Sequence, residues 1–260
     1  MRIKLINPNT TAAMTRSMAE AARAVASPGT IIDSATAASG PVSIEGHYDE
    51  AFAVVGLIEV MRADPDADAY VIACFGDPGL LAAREITAAP VLGIAEAAMH
   101  AATFIATSFS VVTTLDRTRI IAEALVRNYG MRSACRRVRA TDLPVLALEC
   151  PDDRVNETIF AECQRALTED RCGAIVLGCA GMAGLVDYLR DRLPVPVIDG
   201  VTVAVKFAEA LVGARLATSK HGDLAYPIAK PYLGAMSAYA PSAHLPGRAG
   251  EERPEIHPAR

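Results

Sequence analysis

The chain has 260 residues, of which 52% are hydrophobic, 21% charged and 5% aromatic, with a formal net charge of −5. That length accommodates one large domain or two lobes with ample core, and so high an apolar content excludes an intrinsically disordered chain. The acidic balance and the lack of a Lys/Arg stripe argue against a nucleic acid partner. No membrane span is expected, because Glu59, Arg62, Glu96 and His100 interrupt every candidate run of about 18 apolar residues. Met1–Ile6 runs into Asn7-Pro8-Asn9 with too short an apolar core for an export signal, so the expected compartment is the cytoplasm. In that compartment Cys74, Cys135, Cys150, Cys163, Cys172 and Cys179 are expected as free thiols.

Short apolar runs alternate with helical patterns along the chain. Strand 3–6 precedes a helix over about 11–26, and strand 30–34 leads through the polar loop 39–46 into a helix near 47–63. Strand 69–74 is followed by a helix from Asp77 to about Ala88, with Asp77-Pro78 read as its N-cap and first helical residue. Strand 90–94 and helix 95–106 come next, then strand 109–112, helix 116–129, strand 136–140, helix 154–169, strand 174–178, a helix near 183–192 and strand 196–198. A last helix covers about 201–213. Thr218–Pro231 is a polar surface or contact segment, and the prolines of 240–260 predict a disordered tail. Strands separated by helices of this length imply βαβ units and parallel sheets.

The pattern repeats. Cys74, in Val71-Ile72-Ala73-Cys74-Phe75-Gly76, and Cys179, in Val176-Leu177-Gly178-Cys179-Ala180-Gly181, lie 105 positions apart. The same offset carries Leu5–Thr10 onto Ser110–Leu115, and one residue of drift carries Pro90-Val91-Leu92 onto Pro196-Val197-Ile198. Two unrelated α/β lobes would share strand spacing, but not a cysteine at the same station. The expected fold is therefore α/β, with two pseudo-symmetric lobes (1–95 and 96–199), each a mainly parallel four-stranded sheet flanked by helices. Ligands of such sheets bind beyond the carboxyl ends of the strands, which places the site in the cleft between the lobes.

Both cysteines stand at such strand ends, just before a helix. A helix N-terminus there would favour thiolate and lower each thiol below its usual ~8.5. Glycines beside them (Gly76 and Gly79; Gly181 and Gly184) let a small ligand approach the backbone, whose N–H groups suit a developing enolate oxygen. Asn9-Thr10 and Thr113-Thr114 end the first strand of each lobe, with side chains suited to amide or carboxylate groups. Two facing thiols suit removal of a proton from one face of a carbon and delivery to the other, which is stereoinversion by two bases. No cofactor is expected: there is no G-x-G-x-x-G or Walker A run, no Schiff-base lysine is marked out, and five histidines without ligand spacing give no metal site.

These residues resemble the hydantoin racemases. The likeness is carried by Leu5-Ile6-Asn7-Pro8-Asn9-Thr10-Thr11, Gly40-Pro41-Val42-Ser43-Ile44-Glu45-Gly46 and Ala73-Cys74-Phe75-Gly76-Asp77-Pro78-Gly79-Leu80. Gly93–Ala97, Val112–Leu115, Leu177–Met182 and Thr218–Asp223 continue it over about 1–230. The allantoin racemases are a sister group within the aspartate/glutamate racemase fold, allantoin being a 5-ureidohydantoin. The resemblance implies a cofactor-independent racemase of 5-monosubstituted hydantoins, with Cys74 and Cys179 as acid and base. It also implies that Asn9, Ser43, Phe75, Thr113, Thr114, Ala180 and Gly181 line the pocket around a small-molecule substrate. A homo-oligomer is implied as well, and a last helix that returns residues 200–230 to the first lobe.

The remaining cysteines lack the paired context and read as packing residues. His47 reads as a cap or solvent-facing, His100 as helix packing, and His221 as ordering a loop or a subunit contact. Asn9 could equally cap the first helix. Two other functions fit the same pattern less well. A different cysteine enzyme of the fold (an amino-acid racemase, a decarboxylase or a cis–trans isomerase) is one. A single-thiol decarboxylase would leave one cysteine unexplained. A non-enzymatic two-lobed binding protein would need neither.

Overall fold

The computed structural model describes residues 1–149 and 152–241. Cys150 and all but the first two residues of the expected 240–260 tail lie outside that range. In the first lobe β1 (Arg2–Asn7), β2 (Ile31–Thr36), β3 (Ala69–Ile72) and β4 (Val91–Gly93) form a sheet in the order β2-β1-β3-β4. In the second, β5 (Phe109–Thr113), β6 (Cys135–Ala140), β7 (Ile175–Leu177) and β8 (Val197–Ile198) repeat it as β6-β5-β7-β8. Every pairing is parallel. Such strands must be covered on both faces, and β3, with all four residues buried, shows the unbroken apolar run this requires.

The connections are α1 (Ala12–Val25), α2 (His47–Ala63), α3 (Leu80–Ile86), α4 (Ile94–Ile105), α5 (Asp116–Asn128), α6 (Asp153–Arg165) and α7 (Val186–Arg190), with α8 (Gly200–Gly213) last. On α1, Met14, Met18 and Ala22 recur at every fourth residue and turn one stripe into the core. That core lies between the lobes, where α1, α4 and α8 meet around Met18, Met99, Phe109 and Ala204. Separate clusters around Leu57 and Tyr70, and around Ile159 and Leu189, cover the outer faces. The N-termini of α4 and α8 cross closely: a Cβ on Gly200 would stand 2.4 Å from the Ile94 carbonyl oxygen. Among the described residues no helix is long and apolar enough to cross a membrane.

Sheet register states the duplication in physical terms. Ile6 faces Ile72 across the first sheet, and Val112 faces Leu177 across the second. The offset between β3 and β7 is thus 105, as the sequence predicts, but between β1 and β5 it is 106. Asn7, not Pro8, therefore shares its station with Thr113.

Two predicted helices are corrected. The helix after Cys74 begins at Leu80 rather than Asp77, because Asp77 and Gly79 are both left-handed, with φ +45° and +69°. Gly79 stands at the N-cap of α3, and the Asp77 carboxylate is turned to the N–H groups of Ala95 and Glu96 instead. The helix expected near 183–192 is a 3-10 turn over Ala180–Leu185 followed by the short α7, the two glycines of that turn being poor helix formers.

Helix α8 is capped conventionally. Asp199 accepts hydrogen bonds from the N–H groups of Val201 (3.1 Å) and Thr202 (2.8 Å) in a buried setting. Asp199→Ala is expected to lower the unfolding free energy by about 2 kcal/mol, read as a fall in the urea midpoint.

Candidate active site

One cleft opens where the carboxyl ends of the two sheets face each other, and Cys74 and Cys179 both line it. Each stands two residues beyond the last residue of its strand, β3 or β7. The backbone N–H of Gly76 points at the Cys74 sulfur, and that of Gly181 at the Cys179 sulfur. Negative charge on Cys179 opposes ionisation of Cys74, so the two thiols are electrostatically coupled across the cleft.

Their acidity reverses the expectation of a lowered pKa. Burial pushes Cys74 up to about 12 against the single Gly76 N–H, with Cys179, Asp77 and Glu50 adding to the rise. Burial likewise pushes Cys179 up to about 11, with Glu45 adding to it. The physical reason is that one N–H per sulfur cannot replace the water removed. Nor does a helix start at Cys74, since α3 begins six residues further on.

Of the residues expected to line the pocket, Asn9, Phe75, Thr113, Thr114 and Ala180 do so; Ser43 and Gly181 do not. The 40–46 loop reaches the cleft through Ile44, beside Ser43. Gly181 turns instead toward Leu148, where an added Cβ would stand 3.0 Å from the leucine Cβ. Thr113 Oγ1 donates to the Gly178 carbonyl (2.9 Å), and a Cβ on Gly178 would meet Thr113 Cβ at 2.7 Å. This close packing locks the end of β5 onto the loop that carries Cys179. Thr114 is buried beside it, its hydroxyl unbonded to the described residues. Asn9 lines the cleft and does not cap α1, whose N-cap is Thr11. Its Oδ1 accepts from the Thr11 N–H (2.9 Å) just before α1, while its Nδ2 donates only to the weakly accepting Met14 sulfur at 3.7 Å.

Several lining residues were not anticipated: Met14, Ile44, Glu50, Thr118, Ile121 and Val145. Thr118 and Ile121 come three apart from the start of α5, and Glu50 from the first turn of α2. That these first turns follow loops at the strand ends is a signal that could have found them. Glu50 carries the one carboxyl group among the described lining residues, and burial raises its pKa. Its Oε2 is 3.6 Å from Nδ1 of the exposed His47; its Oε1 and the Cys74 sulfur each stand 3.8 Å from the point where a Gly76 Cβ would be. Above the cleft, Glu45 accepts from the Val145 N–H (3.1 Å), strapping one lobe to the other.

Elsewhere, Cys163 and Cys172 are packed in the outer core of the second lobe and Cys135 lies on its edge strand. His100 bonds back to the Glu96 carbonyl within α4 (2.8 Å), and His221 is exposed. Among the described residues no group of three or more His, Cys, Asp or Glu is placed to hold a metal ion.

This geometry belongs to a known class. The model of the Asp/Glu/hydantoin racemase family matches residues 3–208. The hydantoin racemase of Rhizobium meliloti is 50% identical over 236 residues, covering 90% of this chain and 98% of that protein. Among solved structures, an allantoin racemase from Klebsiella pneumoniae superposes with a TM-score of 0.90 at 56% identity, covering 93% of this chain and all of that one. The allantoin racemase from Pseudomonas fluorescens gives 0.87 at 42% identity, over 90% and 100%. The chain belongs to the Asp/Glu/hydantoin racemase family, and it is an isomerase of the racemase type.

Thiolate is the species that alkylates, so the raised pKa values have a direct readout. Iodoacetamide labelling of Cys74 and Cys179, followed peptide by peptide, is expected to accelerate about tenfold per pH unit through pH 9. A plateau near the ordinary ~8.5 would show that burial does not dominate.

Proposed function

We propose that the protein interconverts the enantiomers of 5-monosubstituted hydantoins, allantoin among them, with Cys74 and Cys179 as two bases and no cofactor. The observation that carries this reading is the pair of half-buried thiols at matched strand ends on one cleft. The names of the relatives support the substrate class.

The C5 proton of a hydantoin is flanked by a ring carbonyl, so its removal leaves a planar enolate. One cysteine, as thiolate, takes that proton. The other, as thiol, gives its own to the opposite face, and the two exchange protonation states. This requires one thiol and one thiolate together. The raised pKa values make that singly ionised pair a minority beside the doubly protonated one at neutral pH, and suppress the doubly ionised pair still further. A substrate that fills the cleft places its oxygens near the unbonded Thr114 hydroxyl and the weakly held Asn9 amide, both donors suited to the enolate.

Incubating one enantiomer in deuterated water tests the mechanism. Wild type is expected to lose optical rotation as deuterium enters C5. Cys74→Ser and Cys179→Ser should each slow racemisation by about 10²–10⁴-fold; unimpaired racemisation by either variant would refute the paired-base assignment.

Glu50 bears on the C5 substituent. In a cleft otherwise lined by apolar and neutral polar groups, its carboxylate suits a substituent rich in N–H donors, such as a ureido group. Glu50→Leu is expected to shift kcat/KM from allantoin toward 5-benzylhydantoin by about tenfold or more, as loss of one charge-assisted hydrogen bond would. An unchanged ratio would leave Glu50 no part in selection.

A further inference from the structure

The two lobes cap their equivalent helices differently. In the second lobe β8 enters α8 through Asp199, which supplies its own carboxylate as the cap. Register puts Gly93 at the same station in the first lobe: Leu92 faces Val71 as Ile198 faces Val176. Gly93 has no side chain, and a Cβ built on it would lie 2.2 Å from Asp77 Cγ. The Asp77 carboxylate fills that space. It accepts from the N–H groups of Ala95 (3.0 Å) and Glu96 (2.9 Å), which follow Gly93 by two and three residues, as Val201 and Thr202 follow Asp199. The cap of α4 therefore comes from the loop that carries Cys74.

Three further contacts bind that loop. The Asp77 N–H donates to the Cys74 carbonyl (3.0 Å), and the Asp77 carbonyl accepts from Leu80 (3.2 Å). From the second lobe, the Tyr129 hydroxyl after α5 donates to Asp77 Oδ2 at 2.7 Å. Burial and the neighbouring carboxylate push this phenol upward, so it remains a donor. Asp77 itself is buried and held at a positive φ of 45°, a conformation that an aspartate keeps only where its surroundings hold it.

We propose that Asp77 is a positioning residue for Cys74. By capping α4 from the cysteine loop and taking a bond from Tyr129, it registers the Cys74 sulfur against the second lobe. On the other side of the cleft Thr113 and Gly178 do the corresponding work for Cys179. The inference rests on the reading of Cys74 as one of the two bases.

The duplication supplies its own control. Asp77→Gly combined with Gly93→Asp moves the carboxylate to the station Asp199 occupies, keeping the cap while releasing the cysteine loop. Asp77→Gly alone is expected to lower the urea midpoint, and the double variant to regain it. Racemisation by the double variant should nevertheless stay at least about tenfold below wild type, since small misplacements of a reacting group are costly. Deuterium should then enter C5 without inversion more often per turnover. Cys179 would take the C5 proton, exchange it with solvent and return a deuteron to the same face while Cys74 fails to deliver. Iodoacetamide labelling of Cys74, but not of Cys179, should also change at least threefold, a readout that does not depend on the racemase mechanism. Tyr129→Phe leaves the cap intact and is expected to raise the same exchange-to-inversion ratio, with kcat falling more than KM changes. A refolded double variant that racemises and labels like wild type would reduce Asp77 to a helix cap and overturn the proposal. Should the double variant not fold, an unchanged ratio in Tyr129→Phe would overturn it. Full racemisation by Cys74→Ser would instead sink the two-base reading itself.

Discussion

Withdrawal of two thiols at once from most of their water is the constraint on which the site depends. Each sulfur lies just past the end of an interior strand, on a cleft walled by the other lobe, with a single backbone N–H for company. The register of β3 on β1, and of β7 on β5, sets both depths to the same value. A slip of one residue in either strand would turn its side chains to the other face of its sheet. Tight cores on both faces of each sheet therefore serve chemistry as well as stability, because they hold the strand ends from which the cysteines project.

The cost of that burial shows in the acidities. An exposed cysteine beside a helix N-terminus would ionise readily but would be hydrated and open to oxidation. Sunk in the cleft, both thiols resist ionisation, and the charge of either resists that of the other. At neutral pH a pair so arranged holds both protons, and the state with one thiol and one thiolate is its minority form. Racemisation by opposed bases needs that state at the start of every turnover, in either direction.

Much of this was legible in the sequence because it is local or periodic. The 105-residue offset of the cysteines corresponds to a real equivalence of β3 and β7, and helix α2 starts and ends where its pattern does, at His47 and Ala63. What escaped is tertiary. Asp77-Pro78 is an ordinary helix-start signal, and only the fold shows that its carboxylate serves α4, which begins seventeen residues on, by entering the space a glycine leaves. Glu50 reads as one of two first-turn acids suited to the helix dipole, with nothing local to say that it faces the cleft. The direction of the thiol shifts depends on how much water the opposite lobe displaces, which no spacing encodes.

Duplication followed by divergence has left the two halves of the site alike in position and unlike in support. Cys179 rests on a threonine packed against a glycine, and Cys74 on a loop whose carboxylate reaches across to α4 and to Tyr129. The thiols differ in their charged neighbours too, Asp77 and Glu50 opposing ionisation of Cys74 and Glu45 that of Cys179. In a racemase this asymmetry is permitted by thermodynamics. Enantiomers have equal free energies in water, so kcat/KM must be the same in both directions whichever sulfur is the stronger base. Unequal acids can appear only in kcat and KM taken separately, where a difference in one is offset by the other. Selection on flux through the equilibrium then has no reason to restore symmetry at the cysteines, provided both remain in reach of the same carbon.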